Sequence, residues 1–179
     1  MEIKWKEMFS LSPPQGVTFT VSDHTVEVKG KLGTVVRVFK DNYVRVVPDG
    51  NSIKIMVSKE NRRNRGIAGT WYSEIRNAFR GVTEGFRYEM KIDYTHFPMR
   101  VSVRGNRVVI ENFLGERSPR YADIVGNTKV SVKGDRVTLE GIDRRQLGET
   151  AANIERATKI KGFDLRVFQD GVYLISKGE

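Results

Sequence analysis

Four groups of basic residues carry the chemistry that this 179-residue sequence most plainly offers. Lys59, Arg62, Arg63 and Arg65 crowd one stretch, and Arg144 and Arg145 form a second. Arg117 and Arg120 flank Ser118-Pro119, while Arg156, Lys159, Lys161, Arg166 and Lys177 follow towards the end. Such side chains hold phosphates, because a polyanion bound by them sheds its condensed counterions. The whole sequence has 31 Lys plus Arg against 22 Asp plus Glu, a net charge of +9 and a pI near 9.8. Residues 1–90 carry +5 of this and residues 91–179 carry +4, so neither half is a neutral passenger. A polyanionic partner is the first expectation.

Catalytic chemistry finds less support. There is no cysteine, which removes disulfides, zinc ribbons and thiol nucleophiles together. His24 and His96 are the two histidines, far apart in sequence and without a second ligand nearby. Gly30-Lys31-Leu32-Gly33 lacks the spacing of a phosphate-binding loop, and no serine sits in a nucleophile elbow. The acids are scattered among bases, as in surface ion pairs. We expect no catalytic residue, no metal and no cofactor. No apolar run approaches the roughly 20 residues that span a bilayer, and Met1 to Lys6 lacks a signal-peptide core. The expected setting is the cytoplasm, with no membrane partner.

The elements that position the cations come in two copies. Sliding the sequence against itself by 82 positions brings Val17, Phe19, Val21, Val26, Val28, Leu32 and Gly33 onto Met99, Val101, Val103, Val108, Ile110, Leu114 and Gly115. In both copies two alternating segments flank a polar turn, Ser22-Asp23-His24 and Arg104-Gly105-Asn106, which predicts a hairpin with one buried face. Further alternation follows at Val35 to Val47 and Ile53 to Val57, then at Lys129 to Val132 and Val137 to Leu139.

Each copy then changes period. Ile67, Trp71, Ile75, Ala78, Phe79 and Val82 recur at helical spacing, as do Leu147, Ala151, Ile154 and Ala157. Asp143 with Gln146 resembles a capping box, and Gly81 and Gly162 read as stops. The expected fold is α+β: two tandem duplicated domains, residues 1–82 and 83–179, each an antiparallel sheet packed against one helix. Phe86 to Tyr94 opens the second as a strand. A C-terminal hairpin, Leu165 to Phe168 and Val172 to Ile175, closes it.

Cations at a helix start oppose the helix dipole, so the Arg clusters before both helices point to an external phosphate. Phe168 and Tyr173 are candidates for stacking on bases. The residues alone leave two other classes open. An RNA-processing enzyme needs turnover that depends on a few acids or histidines. A scaffold for acidic proteins shows no preference for RNA.

Longer stretches carry a resemblance. Arg65 through Phe86, His96-Phe97-Pro98, Val109 through Gly115, Gly148 through Glu155 and Arg166 through Lys177 are similar to the large-subunit ribosomal protein L-six family. The version is the archaeal and eukaryotic one, called L-nine in eukaryotes. The resemblance implies a non-enzymatic constituent of the large ribosomal subunit that binds large-subunit rRNA near the stalk base and the sarcin–ricin loop. Its implied partners are that rRNA, neighbouring large-subunit proteins and, transiently, translation GTPases. It makes the second domain the main rRNA-binding half, pointing to Arg117 and Arg120, the second helix and Arg166 to Lys177. Arg156 stands where many relatives carry Gln, and Phe163 where a basic residue is common.

Overall fold

A computed structural model describes residues 2–178. The chain divides into two compact units, Met1–Gly85 and Phe86–Glu179. The first runs β1 (Lys6–Leu11), β2 (Thr18–Ser22), β3 (Thr25–Gly30), β4 (Gly33–Val38), β5 (Val44–Asp49), β6 (Ser52–Val57) and α1 (Arg62–Thr83). The second runs β7 (Phe86–Asp93), β8 (Arg100–Arg104), β9 (Arg107–Glu111), a 3-10 turn (Phe113–Gly115), β10 (Arg120–Asp123), β11 (Lys129–Lys133), β12 (Arg136–Gly141), α2 (Arg144–Ala157) and β13 (Gly171–Ser176).

The fold is α+β and duplicated. The strands of each unit fall into two antiparallel sheets: β1-β6-β5 and β2-β3-β4 in the first, β11-β12-β7-β13 and β10-β9-β8 in the second. One helix serves both sheets of its unit, α1 touching β1, β6, β3 and β4, and α2 touching β12, β7, β13 and β10. Apolar positions explain the arrangement. Ile53, Ile55 and Val57 on β6 and Val26 and Val28 on β3 are buried, as are Trp71, Ile75, Phe79 and Val82 on α1. In the second unit Tyr88, Met90 and Ile92 on β7 and Val137 and Leu139 on β12 join Leu147, Ala151 and Ile154 of α2. Period two meets period 3.6 at one apolar layer.

The hairpins repeat residue for residue. Thr18↔Lys29, Phe19↔Val28 and Val21↔Val26 in the first unit become Arg100↔Glu111, Val101↔Ile110 and Val103↔Val108 in the second, each displaced by 82. Even the turn matches: Asp23 has φ 56° and Gly105 φ 60°. The third strand breaks this offset. Val28 pairs with Val35 on β4, whereas Ile110 pairs with Arg120 on β10, so the offset grows to 85 and the second copy carries three additional residues before its third strand.

Several local expectations are revised. Residues 39–43 interrupt the strand expected from Val35 to Val47, and Asp41 Oδ2 accepts a hydrogen bond from Tyr43 N–H there. α1 continues through Gly81, which is buried, to Thr83, and Gly85 at φ 77° ends it. Asp143 caps α2 by accepting from Arg145 and Gln146 N–H, while the Gln146 carboxamide oxygen accepts from Asn127 N–H on a neighbouring loop. Gly162 lies beyond the end of α2, whose cap is Thr158. The C-terminal hairpin is absent. Asp164 folds residues 164–168 into a turn by accepting from Arg166, Val167 and Phe168 N–H groups, and β13 pairs with β7 instead. No helix among the described residues is long and apolar enough to cross a membrane.

Candidate nucleic-acid interface

The basic clusters differ sharply in how their charge is used. At the start of α1, Asn61 caps the helix by accepting from Asn64 N–H at 2.8 Å. Arg63 donates to Asp41 at 3.0 Å, and Arg65 donates to Glu60, which also pairs with Lys6 at 3.1 Å. Burial pushes the Asp41 carboxyl up, but hydrogen bonds from Tyr43 N–H and Arg63, with the Arg63 charge, outweigh it and leave it below the usual value. Hydrogen bonds from Arg65 and Lys6 hold Glu60 low as well. The first cluster therefore brings its own counterions, and Arg62 alone of its three arginines has no partner within the described residues.

The start of α2 is similar. Arg144 donates to Tyr88 Oη at 3.2 Å and lies over the Phe86 ring, with its centroid 6.0 Å away. Arg145 lies 3.5 Å from Glu149, one turn along. Both helix-start clusters are thus tied into their own units, which weakens the case for a phosphate seated on either one.

Arg120 was grouped with Arg117 in the sequence, and the structure separates them. The Arg120 guanidinium donates to both Glu116 oxygens at 2.6 and 2.9 Å, and to the carbonyls of Ala157 and Lys159 at 2.9 and 3.0 Å. It also caps the buried Phe113 ring at 4.4 Å. Hydrogen bonds from Arg120 hold the Glu116 carboxyl below its ordinary value. Such a forked cation satisfies the last carbonyl of α2, at Ala157, and that of Lys159 just past the Thr158 cap. Arg120 therefore binds the loop 112–119 to the C-terminal end of α2. That loop is tightly wound: Asn112 and Leu114 have φ of 59° and 52°, and Asn112 Nδ2 donates to Pro98 O at 2.9 Å. A leucine in the left-handed region is held there by its surroundings. Arg117 sits at the exposed centre of this loop without a partner among the described residues.

Beyond α2, Lys159, Lys161 and Lys177 are exposed and likewise without side-chain partners among the described residues. Arg156 donates to Asn153 Oδ1 at 2.8 Å and Arg166 to Asp164 at 3.1 Å, the latter pair at the surface. Thr158 Oγ1 accepts from Val172 N–H, and Glu155 Oε1 accepts from Leu174 N–H at 2.9 Å, tying β13 to the end of α2. Asp170 anchors the segment between them. It is buried, and its carboxylate accepts from Thr95 Oγ1 at 3.2 Å and lies 3.0 Å from His96 Nδ1. Burial raises its pKa, yet hydrogen bonds from His96 and Thr95 outweigh that and hold it below 3.8. Sequence reasoning missed Asp170, because a single acid before a glycine carries no signal of burial. Among the described residues no cluster of His, Asp and Glu is placed to hold a metal ion.

Two duplicated sheet-and-helix units, with Arg117, Lys159 and Lys161 unpaired among the described residues around the C-terminal end of α2, define a basic two-repeat α+β protein. The model of the ribosomal protein L6 family matches residues 13–85 and again 97–171. The chain is 58% identical over 177 residues to the large ribosomal subunit protein uL6 of Picrophilus torridus, covering 99% of this chain and 98% of that one. It is 60% identical to that of Thermoplasma acidophilum over 177 residues, covering 99% of each. Against the protein of Methanocella arvoryzae the identity is 49% over 165 residues, covering 92% of this chain and 93% of the other. The chain belongs to the ribosomal protein L6 family and is not an enzyme.

Proposed function

We propose that this protein is a structural constituent of the large ribosomal subunit of the cytoplasmic ribosome. On this reading it binds large-subunit rRNA mainly through residues 83–179, near the stalk base and the sarcin–ricin region, and supports factor-dependent translation. Neighbouring large-subunit proteins and transient translation GTPases are its further partners.

The observation that carries this reading is the set of exposed cations without partners among the described residues around the C-terminal end of α2, Arg117, Lys159 and Lys161, with Lys177 as a further exposed cation at the far end of β13. An ammonium or guanidinium free of an acid retains its full charge for a phosphate. Arg62, Arg63, Arg65, Arg144, Arg145, Arg156 and Arg166 stand behind them as secondary contacts, and Arg120 contributes by holding the loop. Phosphate contacts position the body, and backbone and polar groups then read the shape of the RNA.

Filter binding of large-subunit rRNA across a salt series tests this. Arg117→Ala is expected to leave stability unchanged and to flatten the slope of log affinity against log salt by about one unit. An unchanged slope removes Arg117 from the interface. Failure of the wild-type chain to bind rRNA at low salt removes the reading.

A further inference from the structure

Between α2 and β13 the chain leaves three rings in a row. His96 stacks on Phe168, with centroids 4.3 Å apart and planes 22° from parallel. Phe163 leans on the far side of Phe168, with centroids 4.7 Å apart and planes tilted by 45°, and is about half exposed. The inner end is fixed, because the His96 backbone N–H and ring both face the buried Asp170 carboxylate. The outer end has no further ring on it. A half-exposed phenyl resting on an anchored pair of stacked rings is costly to leave in water and offers a free π face to a flat partner.

The surroundings say what would cover it. Phe168 lines a groove of about 590 Å³ together with Leu165, Tyr173, Arg156 and Lys159. The one acid in that lining, Glu155, turns an oxygen to Leu174 N–H. Lys161 lies two residues before Phe163 and has no partner among the described residues. Flat apolar rings next to unpaired cations are complementary to a nucleotide, whose base offers a π face and whose backbone offers charge. A duplex keeps its bases stacked internally and cannot use such a platform.

We infer that the row His96–Phe168–Phe163 is a stacking platform for an unpaired RNA base, with Lys159 and Lys161 holding the adjoining phosphates. This rests on the RNA binding proposed above and adds to it a preference for single-stranded or extruded nucleotides at this place.

The test uses the full chain and a ten-nucleotide single-stranded oligoribonucleotide carrying one 2-aminopurine, whose fluorescence falls when it stacks. The same strand annealed to its complement is the control. Wild-type protein is expected to quench the single strand and to leave the duplex unquenched. Phe163→Ala should weaken single-strand binding about tenfold with an unchanged salt slope. Phe163→Tyr should restore it and Phe163→Leu should not. Lys159→Ala should retain the quench and flatten the slope. Because Phe163 is about half exposed and rests only on the outside of the row, thermal melts of these variants should differ little. Equal binding by wild type and Phe163→Ala overturns the platform, as does equal loss on single strand and duplex. Full activity of Phe163→Leu also overturns it, and assigns the patch to an apolar protein segment. Filter binding of large-subunit rRNA separates the failures: if wild type binds rRNA without quenching, only the platform falls, and if it binds none, both readings fall.

Discussion

In the first unit the chain passes from β3 to β4 through Lys31 and Leu32 alone, whereas in the second the same step takes residues 112–119. The two hairpins before it share one register, and the two helices after it cover the same pair of sheets. Gly30 shows why the first connection stays short. A Cβ there would lie 2.7 Å from Val82 O, so β3 and the end of α1 pack backbone against backbone, and Leu32 N–H donates to Val82 O at 3.1 Å. At the equivalent place the second unit has Asn112 in the left-handed region, and the chain swings out to carry Arg117. A second difference lies in the main sheets. β1 pairs with β6 and is an edge, whereas its counterpart β7 is flanked by β12 and by the added β13. The duplication supplied the frame. The additions to the second copy supply its most available charge and its aromatic row.

Four perturbations put this contrast to the test, and each is read by urea unfolding. Arg120→Ala should have the largest effect, about 3 kcal/mol, because it removes the loop's clamp and takes away the donor to the Glu116 side chain and to the Ala157 and Lys159 carbonyls. Arg120→Lys should recover only part of it, since an ammonium cannot serve the carboxylate and the carbonyls in one planar fork. A loss below 1 kcal/mol would mean that the inserted loop holds its shape unaided.

Val172→Ala comes next, at about 2 kcal/mol, because Val172 is fully buried where β13 closes the β7 edge. A negligible effect would make β13 an ornament on a sheet that is complete without it, as β1-β6-β5 is in the first unit.

Asp170→Asn should cost about 1–2 kcal/mol at neutral pH, since donors from Thr95 and His96 would then face a weaker acceptor. The sign with pH follows from the lowered pKa. The ionised form stabilises the native state above the unfolded value and loses this contribution as pH falls from about 4 through the lower native value. The substitution should therefore flatten the acid limb of the stability curve, and an unaltered limb would show that other carboxylates govern it.

Arg63→Ala in the first unit should have the smallest effect, under about 1 kcal/mol, because the guanidinium is exposed and the Asp41 carboxylate keeps its hydrogen bond from Tyr43 N–H. A cost equal to that of Arg120→Ala would erase the distinction between surface pairing in one copy and bracing in the other.

Much of this was legible in the residues. Alternation and helical spacing are local patterns, and the 82-residue displacement exposes the duplication in the sequence itself. The family followed from long runs of side chains in order. The clusters at the two helix starts were visible too, but their meaning was not: Asp41 lies 22 residues from Arg63, and only the fold makes them neighbours. The C-terminal strand was assigned to a hairpin because Leu165 to Phe168 alternate, while the Asp164 side chain offered the backbone a turn instead.

By itself, then, the sequence determined the two helices, most of the strands, their duplication and the basic balance, since periodicity and charge are properties of the chain read along its length. Tertiary structure alone decided which cations remain free. A cation is held by whatever acid or carbonyl lies within hydrogen-bonding distance, and Arg120 reaches Ala157 and Lys159 across 37 and 39 residues while Arg117, three positions away, has no partner among the described residues. Position along the chain cannot separate those two arginines, and proximity in space does.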